Sequence, residues 1–188
     1  MKNNVELGSR LVEWYRLNQR DLPWRKTANP YHIWLSEIIL QQTRVAQGLP
    51  YYERFVNTFP SVKDLATASE QKVLTLWAGL GYYSRARNLL KAAKMVMSQF
   101  NGEFPTSYSE LLKLPGIGDY TAAAIAAFSS NEKVVVVDGN VFRVLSRLFG
   151  IDADIAIAKN RAIFKNAAFE LLNINSPNEF NQAIMEFG

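Results

Sequence analysis

Residues 114 to 143 of this chain have the sequence LPGIGDYTAAAIAAFSSNEKVVVVDGNVFR. It begins with a Gly-Ile-Gly hairpin between two helical patterns, and it runs through four consecutive valines to Asp138 at the start of another helix. Backbone amides at the start of a helix form a ready site for a phosphate. A phosphate-binding turn followed by a fixed carboxylate suggests chemistry on a nucleic acid.

Helical patterns occupy the chain on both sides of this stretch. The valine run favours extended backbone, but no second strand pattern is present to pair with it. Ser107 with Glu110 and Ser176 with Glu179 have the spacing of capping boxes and predict two helix starts. We therefore predict an all-α fold of about ten helices, with the valine run as an extended connector in the core. The remaining helices are predicted over residues 5–18, 33–43, 46–59, 62–68, 69–78, 84–100, 119–129, 141–148 and 159–172.

The composition allows a stable domain without covalent or metal support. Of the 188 residues, 48% are hydrophobic, which is enough to bury a core. Cysteine is absent, so the chain offers no disulfide and no thiolate metal site. The net charge of +4 is compatible with a nucleic-acid partner but does not demand one. No apolar run is long enough for a signal peptide or a membrane span, so we expect a soluble intracellular protein with no membrane partner.

Glu37 lies in a segment that is apolar nearly all round, a pattern typical of a buried helix. Burying an unpaired carboxylate costs several kcal/mol or raises its pKa by roughly 3 to 5 units. Two interpretations follow. Glu37 is either a structural glutamate, paired with Arg44 or Arg143 or bonded to a backbone amide, or a general acid held protonated near neutral pH.

Asp138 also has two interpretations. An aspartate before Gly139 and Asn140 is an ordinary N-cap residue. Paired with Glu37 in one cleft, it would instead be an anionic stabiliser, because an apolar and a polar setting drive two carboxyl pKa values apart. The pair would then supply an acid and an anion.

The hairpin could be an ordinary turn between helices or a grip on a DNA backbone. Arg85 and Arg87 could extend that grip, although charges on one helix are usually a solvated face. Gln42 and Tyr82 lie in polar or aromatic segments at helix ends. Against duplex DNA, such side chains are the kind that enter the base stack when a base is turned out.

Taken together, these segments resemble the helix-hairpin-helix DNA glycosylases, and within them the MutY-type adenine glycosylase family. The resemblance covers nearly the whole chain. Six blocks match in order: residues 22–25 (LPWR), 34–43 (WLSEIILQQT), 77–88 (WAGLGYYSRARN), 114–121 (LPGIGDYT), 137–143 (VDGNVFR) and 180–188 (FNQAIMEFG).

The resemblance implies two lobes with the substrate cleft between them. A barrel of six helices with the helix-hairpin-helix would span about residues 28–133, and a second helical lobe would combine residues 1–27 and 134–188. The partner would be double-stranded DNA with a mispaired adenine, bound by a monomer in the bacterial cytoplasm. The hairpin, through Leu114, Gly116, Ile117, Gly118 and Thr121, would bind the DNA backbone, and its carbonyls could hold a monovalent cation.

The family roles imply a mechanism in which Glu37 protonates adenine and Asp138 stabilises the sugar cation, with Asn140 orienting the site. Relatives that also nick the strand carry a lysine where this chain has Tyr120. Tyrosine cannot form an imine, so we expect a monofunctional, hydrolytic glycosylase. By the same resemblance, Gln42 and Tyr82 form the wedge around the orphan base. The adenine pocket would consist of Trp24, Arg25, Leu40, Val45 and Gln182.

The chain departs from the family after Met185 to Gly188, where relatives continue into four cysteines holding a [4Fe-4S] cluster and then into a domain that reads 8-oxoguanine. No cofactor is therefore expected within these residues, and a cluster only if the full-length protein continues into those cysteines. The predicted substrate is adenine opposite 8-oxoguanine or guanine. Two alternatives remain open: a thymine or uracil mismatch glycosylase, and a non-catalytic helix-hairpin-helix module that only binds DNA.

Overall fold

The computed structural model describes residues 2–172 and 176–188 of the chain. Within these residues the fold is all-α, as predicted, with eleven α-helices, two short 3-10 helices at Pro23–Arg25 and Ala158–Asn160, and no strand. None of the described helices is long and apolar enough to cross a membrane. The α-helices are α1 (Lys2–Asn18), α2 (Pro30–Ile39), α3 (Val45–Thr58), α4 (Val62–Thr67), α5 (Glu70–Trp77), α6 (Ser84–Gln99), α7 (Tyr108–Leu111), α8 (Asp119–Ser130), α9 (Gly139–Phe149), α10 (Arg161–Leu171) and α11 (Pro177–Phe187).

The largest hydrophobic core lies among α2 to α8. Helix α2 is at its centre, because Trp34, Leu35 and Ile39 are completely buried and face neighbours on more than one side. The helix packs against α3 and α8. An apolar helix of this kind is stable only when other helices surround it, so the sequence of α2 fixes its central position.

A second core joins the two ends of the chain. It contains Val12 of α1 together with Val141, Leu145, Phe164 and Phe180 of α9, α10 and α11. A smaller cluster around Ala124 and Val136 lies beside α8. The division into lobes at about residues 28–133 and 1–27 with 134–188 stays a proposal, which the separate first and second cores support.

The valine run is an extended connector with its centre buried, as predicted. Val136 is completely buried and its N–H donates to Oδ1 of Asn181 at 2.8 Å. The Nδ2 of Asn181 donates to the carbonyl of Val134, also at 2.8 Å. A single side-chain amide therefore provides the hydrogen bonds that a neighbouring strand would otherwise supply, and no strand pair is needed.

Both predicted capping boxes are wrong, although helices begin where they were expected. Neither Ser107 nor Ser176 accepts a hydrogen bond from the backbone of its helix. The Ser107 hydroxyl instead donates to the Glu110 carboxylate at 2.6 Å. The serine and the glutamate of this pair therefore bind each other, and the serine does not cap the backbone of α7.

Candidate active site

Helix α2 places Glu37 in a cavity of about 340 Å³ between α2, α8, α9 and α11. Glu37 makes no ion pair with Arg44, Arg143 or any other described residue, so the predicted pairing with arginine is wrong. Its side-chain partner is Tyr120, whose hydroxyl donates to the carboxyl group. A glutamate exposed only to a cavity and bonded by a neutral group is the arrangement expected of an acid.

Asp138 is the N-cap of α9 and lines the same cavity. Its Oδ1 accepts the N–H of Val141 at 2.8 Å, and its Oδ2 accepts from Nδ2 of Asn140 at 3.4 Å. Asn140 in turn accepts a hydrogen bond from Arg143 through its Oδ1 at 2.5 Å. The N-cap interpretation and the functional one are therefore compatible, since the cap fixes the carboxylate at the cavity wall.

The electrostatics of the two carboxyl groups differ. The pKa of Glu37 is raised to about 7, because burial raises it more than the hydrogen bond from Tyr120 lowers it, and the charge of Asp138 adds a smaller increase. Burial also raises the pKa of Asp138 above its ordinary value, and hydrogen bonds from backbone N–H groups at the start of α9 offset only part of that increase. Near neutral pH this cavity accordingly holds a Glu37 that can be protonated beside a second carboxyl group, Asp138, that accepts hydrogen bonds from backbone N–H groups.

The cavity brings together nine of the residues predicted from the sequence. The aromatic ring of Trp24 contacts Tyr52 edge to face, with ring centroids 5.2 Å apart. Arg25 makes an ion pair with Glu186 at 2.7 Å and lies over the ring of Tyr15. The nine predicted residues that line the cavity are Trp24, Arg25, Glu37, Leu40, Val45, Tyr120, Asp138, Asn140 and Gln182.

A second layer of residues behind this cavity was missed from the sequence. The Tyr15 hydroxyl donates to Oε1 of Gln182 at 2.7 Å, and Glu186 binds both Arg20 and Arg25. These contacts join α11 to segments near the other end of the chain. No local signal could have found them, because periodicity reports only which face of a helix is apolar.

The two predicted wedge residues share an unusual backbone. Gln42 has φ of 55° and Tyr82 has φ of 45°, and non-glycine residues rarely adopt such left-handed conformations. Tyr82 is 66% exposed. Strained, exposed residues concentrate at binding surfaces. Gln42 follows the C-terminal end of α2, and Tyr82 precedes the start of α6. Their role as a wedge stays a prediction.

The hairpin has one glycine that packs closely and one that does not. Gly116 has φ of +79°, and a Cβ there would lie 2.8 Å from Cβ of Asn88. A Cβ on Gly118 would meet nothing within 4 Å. Leu114 and Ile117 are buried beneath the turn, and the buried Thr121 hydroxyl accepts from Gln41 at 3.4 Å. The open side at Gly118 is free for a DNA backbone to approach.

The structure corrects the prediction that Arg85 extends the DNA grip. One guanidinium nitrogen donates to the carbonyls of Ile38, Ile39 and Gln41 at 3.0, 3.1 and 2.5 Å, so Arg85 binds the C-terminal end of α2. A cation suits that position because the last carbonyls of a helix are otherwise unpaired. Arg87 is exposed and pairs with Glu70 at 3.1 Å, and a DNA contact for it stays a prediction.

Among the described residues, no cluster of three His, Cys, Asp or Glu side chains could hold a metal ion. The cysteine ligands of a [4Fe-4S] cluster are missing from all 188 residues, so these residues do not fit that group.

An all-α fold with a helix-hairpin-helix and a carboxyl pair in the adjoining cleft defines a class of DNA repair glycosylases. The chain belongs to the HhH-GPD superfamily of base excision DNA repair proteins, whose family model matches residues 35–168. It is similar to the adenine DNA glycosylase of Arabidopsis thaliana, with 43% identity over 95% of this chain and 32% of the relative. The adenine DNA glycosylase of Buchnera aphidicola is 42% identical over 95% of this chain and 50% of the relative.

Among solved structures, a thermostable thymine-DNA glycosylase has a TM-score of 0.89 and 27% sequence identity, covering 99% of this chain and 86% of that one. The chain spans only a third to a half of the length of the curated relatives named above. Fold and family follow directly from these similarities, while the activity, substrate and partner of the whole protein are matters of proposal.

Proposed function

We propose that this protein is a monofunctional adenine DNA glycosylase of base excision repair. It hydrolyses the N-glycosidic bond of adenine mispaired with 8-oxoguanine or guanine in double-stranded DNA. The observation that carries the proposal is Glu37, a half-buried carboxyl group in the cavity, with a pKa of about 7, beside the N-cap residue Asp138. The names of the curated relatives supply the choice of adenine.

The positions of these groups support the following reaction. Glu37 donates its proton to a ring nitrogen of the flipped adenine, which makes the base a better leaving group. The glycosidic bond then breaks with its electron pair going to the base, and Asp138 stabilises the sugar cation. Water adds to the anomeric carbon and gives its proton to the Glu37 carboxylate. Tyr120 has no amine to form an imine with the sugar, so the strand stays intact.

Substrate recognition would divide among three surfaces. Trp24, Arg25, Leu40, Val45 and Gln182 line the cavity beside Glu37 and would surround the base. The hairpin would bind the strand, with a monovalent cation on its carbonyls, and Gln42 and Tyr82 would fill the space left by the flipped base. The enzyme would act as a monomer in a bacterial cytoplasm.

Adenine release tests the proposal. A duplex carrying adenine opposite 8-oxoguanine should release free adenine, and its strand should break only after alkali is added. Glu37→Gln should lower single-turnover release by at least about 100-fold, the scale of losing a general acid. Glu53→Gln on the exposed face of α3 is the control and should leave release unchanged. Normal release by the Glu37 variant would exclude Glu37 as the acid.

A second candidate is a thymine or uracil mismatch glycosylase. The thymine-DNA glycosylase structure favours it, because the two chains share 27% identity across 99% of this one. A panel of duplexes with adenine, thymine or uracil opposite guanine and 8-oxoguanine separates the two activities. Salt-dependent DNA binding without release of any base would instead identify a non-catalytic binding module.

A further inference from the structure

A second cavity, of about 420 Å³, opens from the catalytic carboxyl groups toward the surface. It is lined by Glu37 and Asp138 at one side, and by Asp119 of α8 with Arg161 and Lys165 of α10 at another. Helix α10 therefore contributes two cations to the mouth of the cleft. No motif in the sequence pointed to them.

Asp119 and Lys165 join the two sides of this mouth. Lys165 makes an ion pair with the Asp119 carboxylate, which also accepts a hydrogen bond from the Tyr108 hydroxyl. These contacts lower the pKa of Asp119, Lys165 contributing most, with a smaller contribution from the charge of Arg161. Asp119 is thus a neutralised carboxylate at the first position of the hairpin helix.

Neutralisation matters because of where Asp119 lies. The first N–H groups of α8 follow Gly118 directly and lack partners within the helix, so they are suited to a phosphate. An unpaired carboxylate at the same place would repel a DNA strand. Lys165 removes that repulsion by pairing with Asp119 from the facing helix.

Arg161 lies one helical turn before Lys165, so both side chains are on one face of α10. It is exposed and makes no ion pair with any carboxylate of the described residues. Its charge is therefore available to a ligand at the cleft mouth. A planar guanidinium suits a phosphate group because it can donate two parallel hydrogen bonds.

We infer that Arg161 binds a backbone phosphate of the strand whose base enters the cleft, on the lip opposite the hairpin, and that Lys165 keeps Asp119 from repelling that strand. This inference rests on the proposed function for its substrate, duplex DNA. Arg161 would be a binding residue that holds the flipped strand from α10 while the hairpin holds it from α8. Neither residue takes part in the chemical step.

Binding measurements on the full chain test the inference. The probe is a duplex with 2′-fluoro-2′-deoxyadenosine opposite 8-oxoguanine, because the fluorine prevents cleavage by destabilising the sugar cation. Arg161→Ala should raise Kd about 5-fold and reduce the slope of log Kd against log salt by about 0.9, the contribution of one phosphate contact. The control is Arg147→Ala, which replaces an exposed arginine near the C-terminal end of α9 and should change neither Kd nor the slope.

Two variants of the ion pair give effects of opposite sign. Asp119→Asn removes a negative charge beside the phosphate and should lower Kd, whereas Lys165→Met leaves that charge unpaired and should raise Kd. If the ion pair only stabilised the fold, both substitutions would instead change Kd in the same direction. Equal directions, or an unchanged salt slope for Arg161→Ala, would overturn the inference.

Adenine release by the unmodified protein, measured in parallel on a cleavable duplex, separates this inference from the proposed function. If the protein releases adenine but Arg161→Ala leaves the slope of log Kd against log salt unchanged, only the phosphate contact is contradicted. If the salt slopes change as predicted but no adenine is released, only the proposed glycosylase activity is contradicted. Because all three residues are exposed or half-buried, we expect the variants to fold, and thermal unfolding of each one checks that expectation.

Discussion

The ionisation of Glu37 links catalysis to stability. Its folded-state pKa of about 7 lies above the ordinary value of 4.5, because burial disfavours the charged form. Between these pH values the native state binds more protons than the unfolded chain. The contribution of this group to the free energy of unfolding therefore falls as the pH rises from about 4.5 to 7.

We predict that Glu37→Gln stabilises the protein while it abolishes activity. Glutamine keeps the shape of the protonated acid but cannot ionise, so the variant avoids the cost of a buried charge. Its free energy of unfolding should exceed that of the original protein by about 3 kcal/mol at pH 8, and the difference should disappear near pH 4.5. Urea unfolding between pH 4.5 and pH 8 measures the difference and its pH dependence, with Glu53→Gln as the control. A difference that does not vary with pH would contradict the buried, titrating acid.

Tyr120→Phe should move the alkaline limb of the activity profile to higher pH. The tyrosine hydroxyl stabilises the ionised form of Glu37 and so lowers its pKa. Removing the hydroxyl raises that pKa, and Glu37 stays protonated to a higher pH. Single-turnover adenine release from pH 5 to 9 measures the shift, which should be upward by up to about one unit. A downward shift would show that Tyr120 does not donate to the carboxylate.

The two glycines of the hairpin, Gly116 and Gly118, allow a controlled comparison of alanine substitutions. Gly116 has a positive φ and lies against Asn88, whereas Gly118 has φ of −99° and open space around it. Gly116→Ala should therefore lower the free energy of unfolding by about 1 to 3 kcal/mol, and Gly118→Ala by less than about 1 kcal/mol.

We expect the effects of the two hairpin variants on DNA binding to differ from their effects on stability. The alanine methyl group at 118 would point into the space that the phosphate is proposed to use, so Gly118→Ala should weaken binding to duplex DNA despite its near-normal stability. Unfolding in urea and a binding titration, run on both variants, check this pattern. Full DNA affinity in Gly118→Ala would mean that the strand does not approach the hairpin at that residue.

The helices were predictable from sequence because their signals are local. The apolar helix around Glu37, the glycine hairpin and the start of α9 each follow from neighbouring residues, and the structure has them where they were expected. Family resemblance added Trp24 and Gln182, which lie far apart in the chain but line one cavity.

What could not be predicted depends on contacts between distant segments. Asn181 replaces a strand for the valine run, and Arg85 binds the end of α2 instead of facing DNA. Each role is set by the three-dimensional neighbour of a side chain, and single-sequence patterns do not contain that information. Lys165 was missed for the same reason, since its partner Asp119 belongs to another helix.

Helices α1 and α11 hold the two ends of the chain together behind the candidate active site. Arg16 pairs with Glu179 at 2.7 Å, and the buried carboxylate of Glu186 binds Arg20 and Arg25 at 2.5 and 2.7 Å. Arg25 also lines the catalytic cavity. The closure of the fold and the shape of the proposed adenine pocket therefore depend on the same carboxylate.

We predict that Glu186→Gln destabilises the protein in a manner that depends on pH oppositely to Glu37→Gln. Burial alone would raise the pKa of Glu186, but hydrogen bonds from Arg20 and Arg25 outweigh it and hold the pKa at about 2. Since this is below the ordinary 4.5, the stabilisation is complete above about pH 4.5 and is lost as the pH falls toward 2. Replacing Glu186 should cost about 2 kcal/mol at pH 7 and much less near pH 2.5.

The control for this effect is Glu179→Gln, which breaks a more exposed pair and should cost less than about 1 kcal/mol. Urea unfolding at several pH values measures both variants. Adenine release should fall in Glu186→Gln through a higher KM, because Arg25 loses the partner that positions it at the cavity wall. An equal loss of stability at pH 7 and pH 2.5 would mean that the carboxylate of Glu186 is not held ionised by its two arginines.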